Sequence, residues 1–82
     1  MFYIYILQSL ITKKYYIGSC NNLGIRLERH NKGAVKSTKA FVPWKFVYKE
    51  VFNSRKEAIA RERQLKSWKS RMMIEKLIKK HF

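Results

Sequence analysis

The run Phe2-Tyr3-Ile4-Tyr5-Ile6-Leu7 limits the fold more than any other stretch of the chain. It is β-branched or aromatic up to its closing leucine, so it favours a strand and is apolar on both faces. Such a strand is stable when covered on both sides, which places it at or near the centre of a sheet. Ser9 to Lys14 is polar and short enough for a hairpin turn, and Tyr15 to Cys20 resumes strand character. The two runs are therefore expected to pair antiparallel, with Tyr3, Tyr5, Tyr15 and Tyr16 crowding one corner.

Asn21 or Asn22 offers an N-cap and Gly33 suits a left-handed C-terminal position, so a first helix is expected from about Asn22 to Lys32. Ala34 to Phe41 carries Lys36, Ser37, Thr38 and Lys39 with little apolar content. It reads either as an exposed basic loop that follows a phosphate backbone or as a plain solvated connection. In Trp44 to Phe52, the third expected strand, Trp44, Phe46 and Tyr48 alternate with Lys45, Val47 and Lys49. That spacing predicts one packed face and one partly wet face. Ser54 followed by Glu57 is a capping box that opens a second helix reaching about Trp68. Ser70 caps a last helix whose apolar face comprises Met73, Ile74, Leu77 and Ile78, bordered by Lys76, Lys79 and Lys80; Met72 and Met73 read as core fill. The order β-β-α-β-α-α describes an α+β fold with three strands, and residues 1–82 are expected to form a single domain.

Nineteen lysines and arginines against five acids give a formal charge of +14. So large an excess points to a polyanionic partner, nucleic acid being the commonest. No apolar run approaches the roughly 20 residues needed to span a bilayer, and no charged n-region precedes the first strand. The single cysteine, Cys20, excludes an intramolecular disulfide and a thiolate cluster, which favours a cytoplasmic protein. Aspartate is absent, and the acids are Glu28, Glu50, Glu57, Glu62 and Glu75. Two-metal phosphoryl chemistry wants several convergent carboxylates, so a nuclease of this composition is expected to use one metal on one carboxylate. Only Gly18, Gly24 and Gly33 are glycines, too few for a phosphate-cradling loop.

Two helical stripes carry polar residues where apolar ones belong. Leu23, Arg26, Leu27 and His30 recur at i, i+3, i+4 and i+7, and Ala58, Glu62 and Leu65 at i, i+4 and i+7. Just before the first stripe, Tyr16 and Gly18 share one face of the second strand. Polar groups so placed cost free energy unless they are paired or line a cleft. Each has a bland reading: Tyr16 as one more core aromatic, Arg26 with His30 as a satisfied polar pair, and Glu62 bonded to Lys66 at i+4 for a few tenths of a kcal/mol. Together the bland readings require three unrelated exceptions; a shared cleft requires one cause.

Tyr3-Ile4-Tyr5, Tyr16-Ile17-Gly18, Arg26, His30 and Glu62, in that order and spacing, resemble the GIY-YIG nuclease domain. The likeness covers nearly the whole chain and is strongest to the small stand-alone members, akin to the nuclease half of a DNA-repair subunit. It implies a three-stranded antiparallel sheet flanked by helices and hydrolysis of a nucleic-acid phosphodiester, DNA rather than RNA, with one Mg²⁺ or Mn²⁺ ion. By the same resemblance Tyr16 would take a proton from the attacking water, Arg26 would hold the phosphate, and His30 would support the phosphate or the water. Tyr5 would pack or hydrogen-bond at the site, Glu62 would bind the metal, and the products would be a 5′-phosphate and a 3′-hydroxyl. Tyr3 stands where the family's first tripeptide has glycine, and no asparagine follows Asn53, so Lys66 or Lys69 is expected to approach the phosphate instead. If the 34–41 loop follows a phosphate backbone, Lys36 and Lys39 are expected as further nucleic-acid contacts.

These residue types suit the chemistry. A phenol, with an ordinary pKa near ~10, needs adjacent positive charge to act as a base at neutral pH. Arginine stays charged and presents a planar fork to phosphate oxygens. Mg²⁺ keeps several waters and accepts substrate phosphates as ligands, so a single carboxylate suffices to hold it weakly. Two other classes fit the same charge: a non-catalytic nucleic-acid-binding module on this fold, and a basic component of a larger assembly.

Overall fold

Ile4, Tyr5, Ile6 and Leu7 are at most 1% exposed, because β1 (Phe2–Ser9) is the central strand of an antiparallel sheet. β2 (Tyr15–Cys20) pairs along one side of it and β3 (Trp44–Phe52) along the other, giving the order β2-β1-β3. Among the described residues three α-helices, α1 (Leu23–Asn31), α2 (Arg55–Ser67) and α3 (Arg71–Lys80), and a 3-10 turn, Lys39–Phe41, accompany the sheet. The structure is a computed structural model and describes residues 1–80.

Both faces of β1 are covered. On one, Ile4 and Ile6 pack with Tyr48, Ala58, Leu65 and Ile74 under α2 and α3. On the other, Tyr5, Leu7 and Trp44 pack with Leu23 and Leu27 of α1. Each fully buried aliphatic side chain contributes about 1.5–3 kcal/mol before ordering costs, so β1 anchors two cores at once.

The helix ends follow the caps in the sequence. The Asn22 side chain accepts the Ile25 N–H at 3.0 Å, and Gly33 takes φ +76° just past α1. Ser54 Oγ accepts the Glu57 N–H at 3.2 Å and donates to the Glu57 carboxylate at 3.1 Å, closing the capping box. Asn31 adds a join between elements, since its side chain accepts the Trp44 N–H at 2.6 Å and donates to the Trp44 carbonyl at 3.1 Å.

Four expectations are corrected. Register runs from Ile6 opposite Tyr48 to Leu7 opposite Phe46, so Val47 is an extra residue in β3. This bulge puts Trp44 and Phe46 on the α1 side and Tyr48 on the α2 side, where strict alternation had them on one face. The tyrosines likewise divide. Tyr5 and Tyr16 lie together, whereas Tyr15 faces the other way under the Arg71 guanidinium at 4.7 Å. Met72 and Met73 are 66% and 44% exposed, because only Ile74, Leu77 and Ile78 of α3 reach the core. Finally, the 34–41 connection is neither free nor fully solvated. Thr38 is buried, its carbonyl accepts the Trp44 indole N–H at 3.0 Å, and only side chains such as Lys36 and Lys39 project outward.

Candidate active site

β2 is an edge strand, and its pleat divides its side chains between two environments. Tyr16 and Cys20 pack on the α1 side; Tyr15 and Ile17 pack on the α2 side. Gly18 lies on the Tyr16 face, directly opposite Tyr5 in register. A Cβ there would stand 2.4 Å from the Tyr5 hydroxyl oxygen and 3.1 Å from the Tyr16 ring. The missing side chain is therefore the space in which the two phenols approach each other, with ring centroids 6.4 Å apart.

His30 holds this pair in place. Its Nδ1 is 2.8 Å from Thr38 Oγ1 and its Nε2 is 3.0 Å from the Tyr5 hydroxyl. Thr38 spends its own proton on the Val35 carbonyl, at 3.4 Å, so Nδ1 carries the imidazole hydrogen and Tyr5 donates to Nε2. Burial, then the charges of Arg26 and Arg29, hold the His30 pKa below its ordinary value of 6.5 and keep the ring neutral. With both nitrogens bonded and the residue 1% exposed, His30 offers no donor to a phosphate. The expected direct contact with phosphate or water would require one of these two bonds to break. Burial, together with the nearby Tyr16, pushes the Tyr5 phenol well above its ordinary pKa, so Tyr5 serves as a neutral donor.

Tyr16 is half-buried, its ring 5.0 Å from His30 and 6.3 Å from Trp44. It also lines an open groove of about 470 Å³ with Lys14, Lys66, Lys69 and Arg71, between β2 and the α2–α3 corner. Lys69 sits at that corner with φ +47°. At the other end of β2 lies a smaller cavity of about 130 Å³, lined by Arg26 of α1 and by Arg55 and Ala58 of α2. Cys20 lines it too, and burial pushes its thiol pKa up, so it stays protonated.

Glu62 comes from α2, and its carboxylate accepts from Ser19 Oγ at 2.6 Å and pairs with Lys66 Nζ at 2.6 Å. The i+4 pair anticipated as the bland reading is thus present, but Ser19 adds a bond from β2 and the side chain is only 19% exposed. Ser19 alternates with Gly18, so Tyr16 and Glu62 are rooted on opposite faces of the sheet. The Tyr5 hydroxyl feels both sides, since Arg26 lowers its pKa and Glu62 raises it through space.

No group of three or more His, Cys, Asp or Glu side chains lies together among the described residues. A cage made of protein ligands alone is therefore not present there. One carboxylate with unused lone pairs, beside a groove rimmed by lysines, fits a cation that keeps its waters and takes ligands from a substrate phosphate.

Of the candidates read from the sequence, Tyr5, Tyr16 and His30 meet in one cluster, Arg26 stands at the β2 end of it, and Glu62 lies across the strand edge with Lys66. Lys69 joins Tyr16 in the groove; Lys36 and Lys39 lie on the connection anchored by Thr38. Ser19, Thr38, Lys14 and Arg55 escaped the sequence reading. Ser19 had one available signal, its position between the glycine and the cysteine on the other face of the strand.

A family model described as the GIY-YIG catalytic domain matches residues 1–80. A "UPF0213 protein" of Staphylococcus aureus strain Mu3 and another from strain Mu50 are each 35% identical over 54 residues, 65% of this chain and 66% of the relative. The match thus spans just under two thirds of those relatives' length. The solution NMR structure of the UPF0213 protein BH0048 from Bacillus halodurans superposes with a TM-score of 0.59 at 30% identity, covering 96% of this chain and 84% of that one.

Proposed function

The chain belongs to the GIY-YIG catalytic-domain family, and from that premise we propose that it is an endonuclease that hydrolyses nucleic-acid phosphodiesters, DNA in preference to RNA, with one divalent cation. One observation carries the reading. Ser19 of β2 binds the Glu62 carboxylate of α2 at 2.6 Å and lines the same cavity as Arg26 of α1, so a carboxylate and a guanidinium flank one end of this edge strand.

In this reading the strand to be cut runs along the edge of β2. Arg26 presents its guanidinium fork to the scissile phosphate and stabilises charge that grows as water adds to phosphorus. Tyr16, reacting as the phenolate, receives the proton of that water, and the departing O3′ takes a proton from solvent. Tyr5, its one proton bonded to His30 Nε2, keeps Tyr16 over Gly18, so His30 is a positioning residue. Lys66 and Lys69 neutralise backbone phosphates beside Tyr16, with Lys36 and Lys39 as outlying contacts. The bond from phosphorus to O3′ breaks, leaving a 5′-phosphate and a 3′-hydroxyl. Glu62 would hold the Mg²⁺ or Mn²⁺, oriented by Ser19, while Lys66 turns from it to the substrate. A bound cation supplies charge neutralisation that this acid-poor chain otherwise draws from its lysines and arginines.

The test compares wild type, Tyr16→Phe and Glu62→Gln on duplex, branched and single-stranded DNA and on RNA, with and without Mg²⁺ or Mn²⁺. Wild type is expected to cut only with the cation. Tyr16→Phe should bind as well but lose at least about a hundredfold in rate, the low end for a general base. Glu62→Gln should lose the cation's stimulation while binding equally well without it. If wild type leaves every substrate whole under all conditions, the chain is a binding module and the enzyme reading is wrong.

A further inference from the structure

All five glutamates of the chain are engaged: Glu28 with Lys32, Glu50 with Arg61, Glu57 with Ser54, Glu62 with Lys66 and Ser19, and Glu75 with Arg71. None is left for Arg26 or Arg55. Among the described residues neither guanidinium makes a hydrogen bond or ion pair, yet both line the cavity at the end of β2 with Ser19, Cys20 and Asn21. Two like charges brought to one concave site repel unless an anion enters between them. The cavity, about 130 Å³, has room for roughly four waters at about 30 Å³ each, or for one phosphate group. Its walls come from separate elements, α1 and the first turn of α2, so the arginines converge by tertiary packing. The β2 residues of the cavity, Ser19 and Cys20, follow Tyr16 by a stretch of strand of roughly 10–13 Å at about 3.3 Å per residue.

We propose that this cavity is a second phosphate subsite, in which Arg55 grips a phosphate of the nucleic acid other than the one being cut, with Arg26 standing between the two. The inference rests on the nuclease reading above and extends it. Arg55 is then a positioning residue that fixes the strand's register relative to Tyr16. The phosphate has two possible sources with the same chemistry, an internal diester next along the strand or a terminal phosphomonoester.

The test uses the full chain and labelled oligonucleotides with and without a 5′-terminal phosphate, first in EDTA for binding and then in Mg²⁺ for cleavage. Arg55→Ala is compared with Lys56→Ala, which removes the same charge from the next residue, exposed as Arg55 is but outside the cavity. Arg55→Ala should bind about tenfold more weakly, and the slope of log affinity against log salt should fall by roughly 0.7–0.9, one phosphate contact. Lys56→Ala should change affinity less than about twofold. In Mg²⁺ the Arg55 variant should raise KM by a similar factor and keep kcat. A loss seen equally with both oligonucleotides identifies the internal diester; a loss confined to the 5′-phosphorylated one identifies the terminal group. Equal losses from the two variants would reduce the effect to net charge and overturn the subsite. So would a collapse of kcat at constant KM, which would move Arg55 into the chemistry. The readings fail separately: wild type that cuts while Arg55→Ala behaves identically defeats only the subsite. Wild type that binds without cutting, with Arg55→Ala still weaker, defeats only the nuclease.

Discussion

A methyl group at position 18 would lie 2.4 Å from the Tyr5 hydroxyl oxygen and 2.6 Å from its Cζ, in a part of the sheet where Tyr5 is held by His30. The Tyr5 ring, buried and bonded to His30, has no room to withdraw, so Gly18→Ala should cost about 1–3 kcal/mol, as overpacking usually does. Urea unfolding would show this as a lower midpoint at unchanged m; an equal midpoint would mean that the phenols are free to move. His30 gives a second residue-level expectation, in pH. Its folded pKa is lowered, so in acid the unfolded chain binds the imidazole proton first, and stability falls as pH drops through the ordinary value of 6.5. The urea midpoint should therefore be highest above pH 7 and decline between about pH 7 and 5.5, above the range in which carboxylates titrate. His30→Gln, which keeps a polar side chain but does not titrate, should flatten that slope. A slope unchanged in the variant would assign the titration to another group.

Among elements, the join between α1 and β3 matters most for the site, because α1 carries both Arg26 and His30. Asn31 makes it, holding the backbone N–H and carbonyl of Trp44 at 2.6 and 3.1 Å. Asn31→Ala leaves both backbone groups short of a partner and should cost about 1–3 kcal/mol. Under the proposed nuclease function, Asn31→Ala should also slow cleavage although Asn31 touches no substrate, since α1 would shift against β2. Thermal unfolding and the cleavage rate check the two parts separately; a normal melting temperature would show that the packing of Leu23 and Leu27 holds α1 alone. The bulge at Val47 belongs to this scale too. Val47 and Tyr48 are both apolar enough to face a core, so the pattern of β3 gave no sign of where its alternation breaks.

Across the whole molecule, a formal charge of +14 is carried by a body of 29 × 27 × 23 Å. At about 0.01 M salt the screening length is roughly 30 Å, so every charge feels every other; near 1 M it is roughly 3 Å. Only four of the nineteen cations are held in ion pairs among the described residues, so self-repulsion should be relieved by salt. Relief of about 1 kcal/mol corresponds to a rise of about 4–8 °C in melting temperature for a domain this size. Differential scanning calorimetry across that salt range should show it. A flat profile would mean that the basic residues are spaced widely enough not to interact. The same salt should weaken nucleic-acid binding, so stability and affinity are expected to move in opposite directions.

Much of this protein was legible locally. The all-apolar run of β1 required a central strand, Asn22 and Ser54 marked where helices begin, and the two interrupted stripes singled out Arg26, His30 and Glu62. Such features depend on residues within a turn or a pleat of one another, so the sequence alone determines them. Tertiary packing decided the rest: that His30 spends both nitrogens on Thr38 and Tyr5, that Ser19 reaches Glu62 from 43 residues away, and that Met72 and Met73 stay outside. It also set Tyr16 and Glu62 on opposite faces of one edge strand. Contacts of that range are settled by the packing of two cores against a single sheet, and local pattern carries no record of how those cores bring distant side chains together.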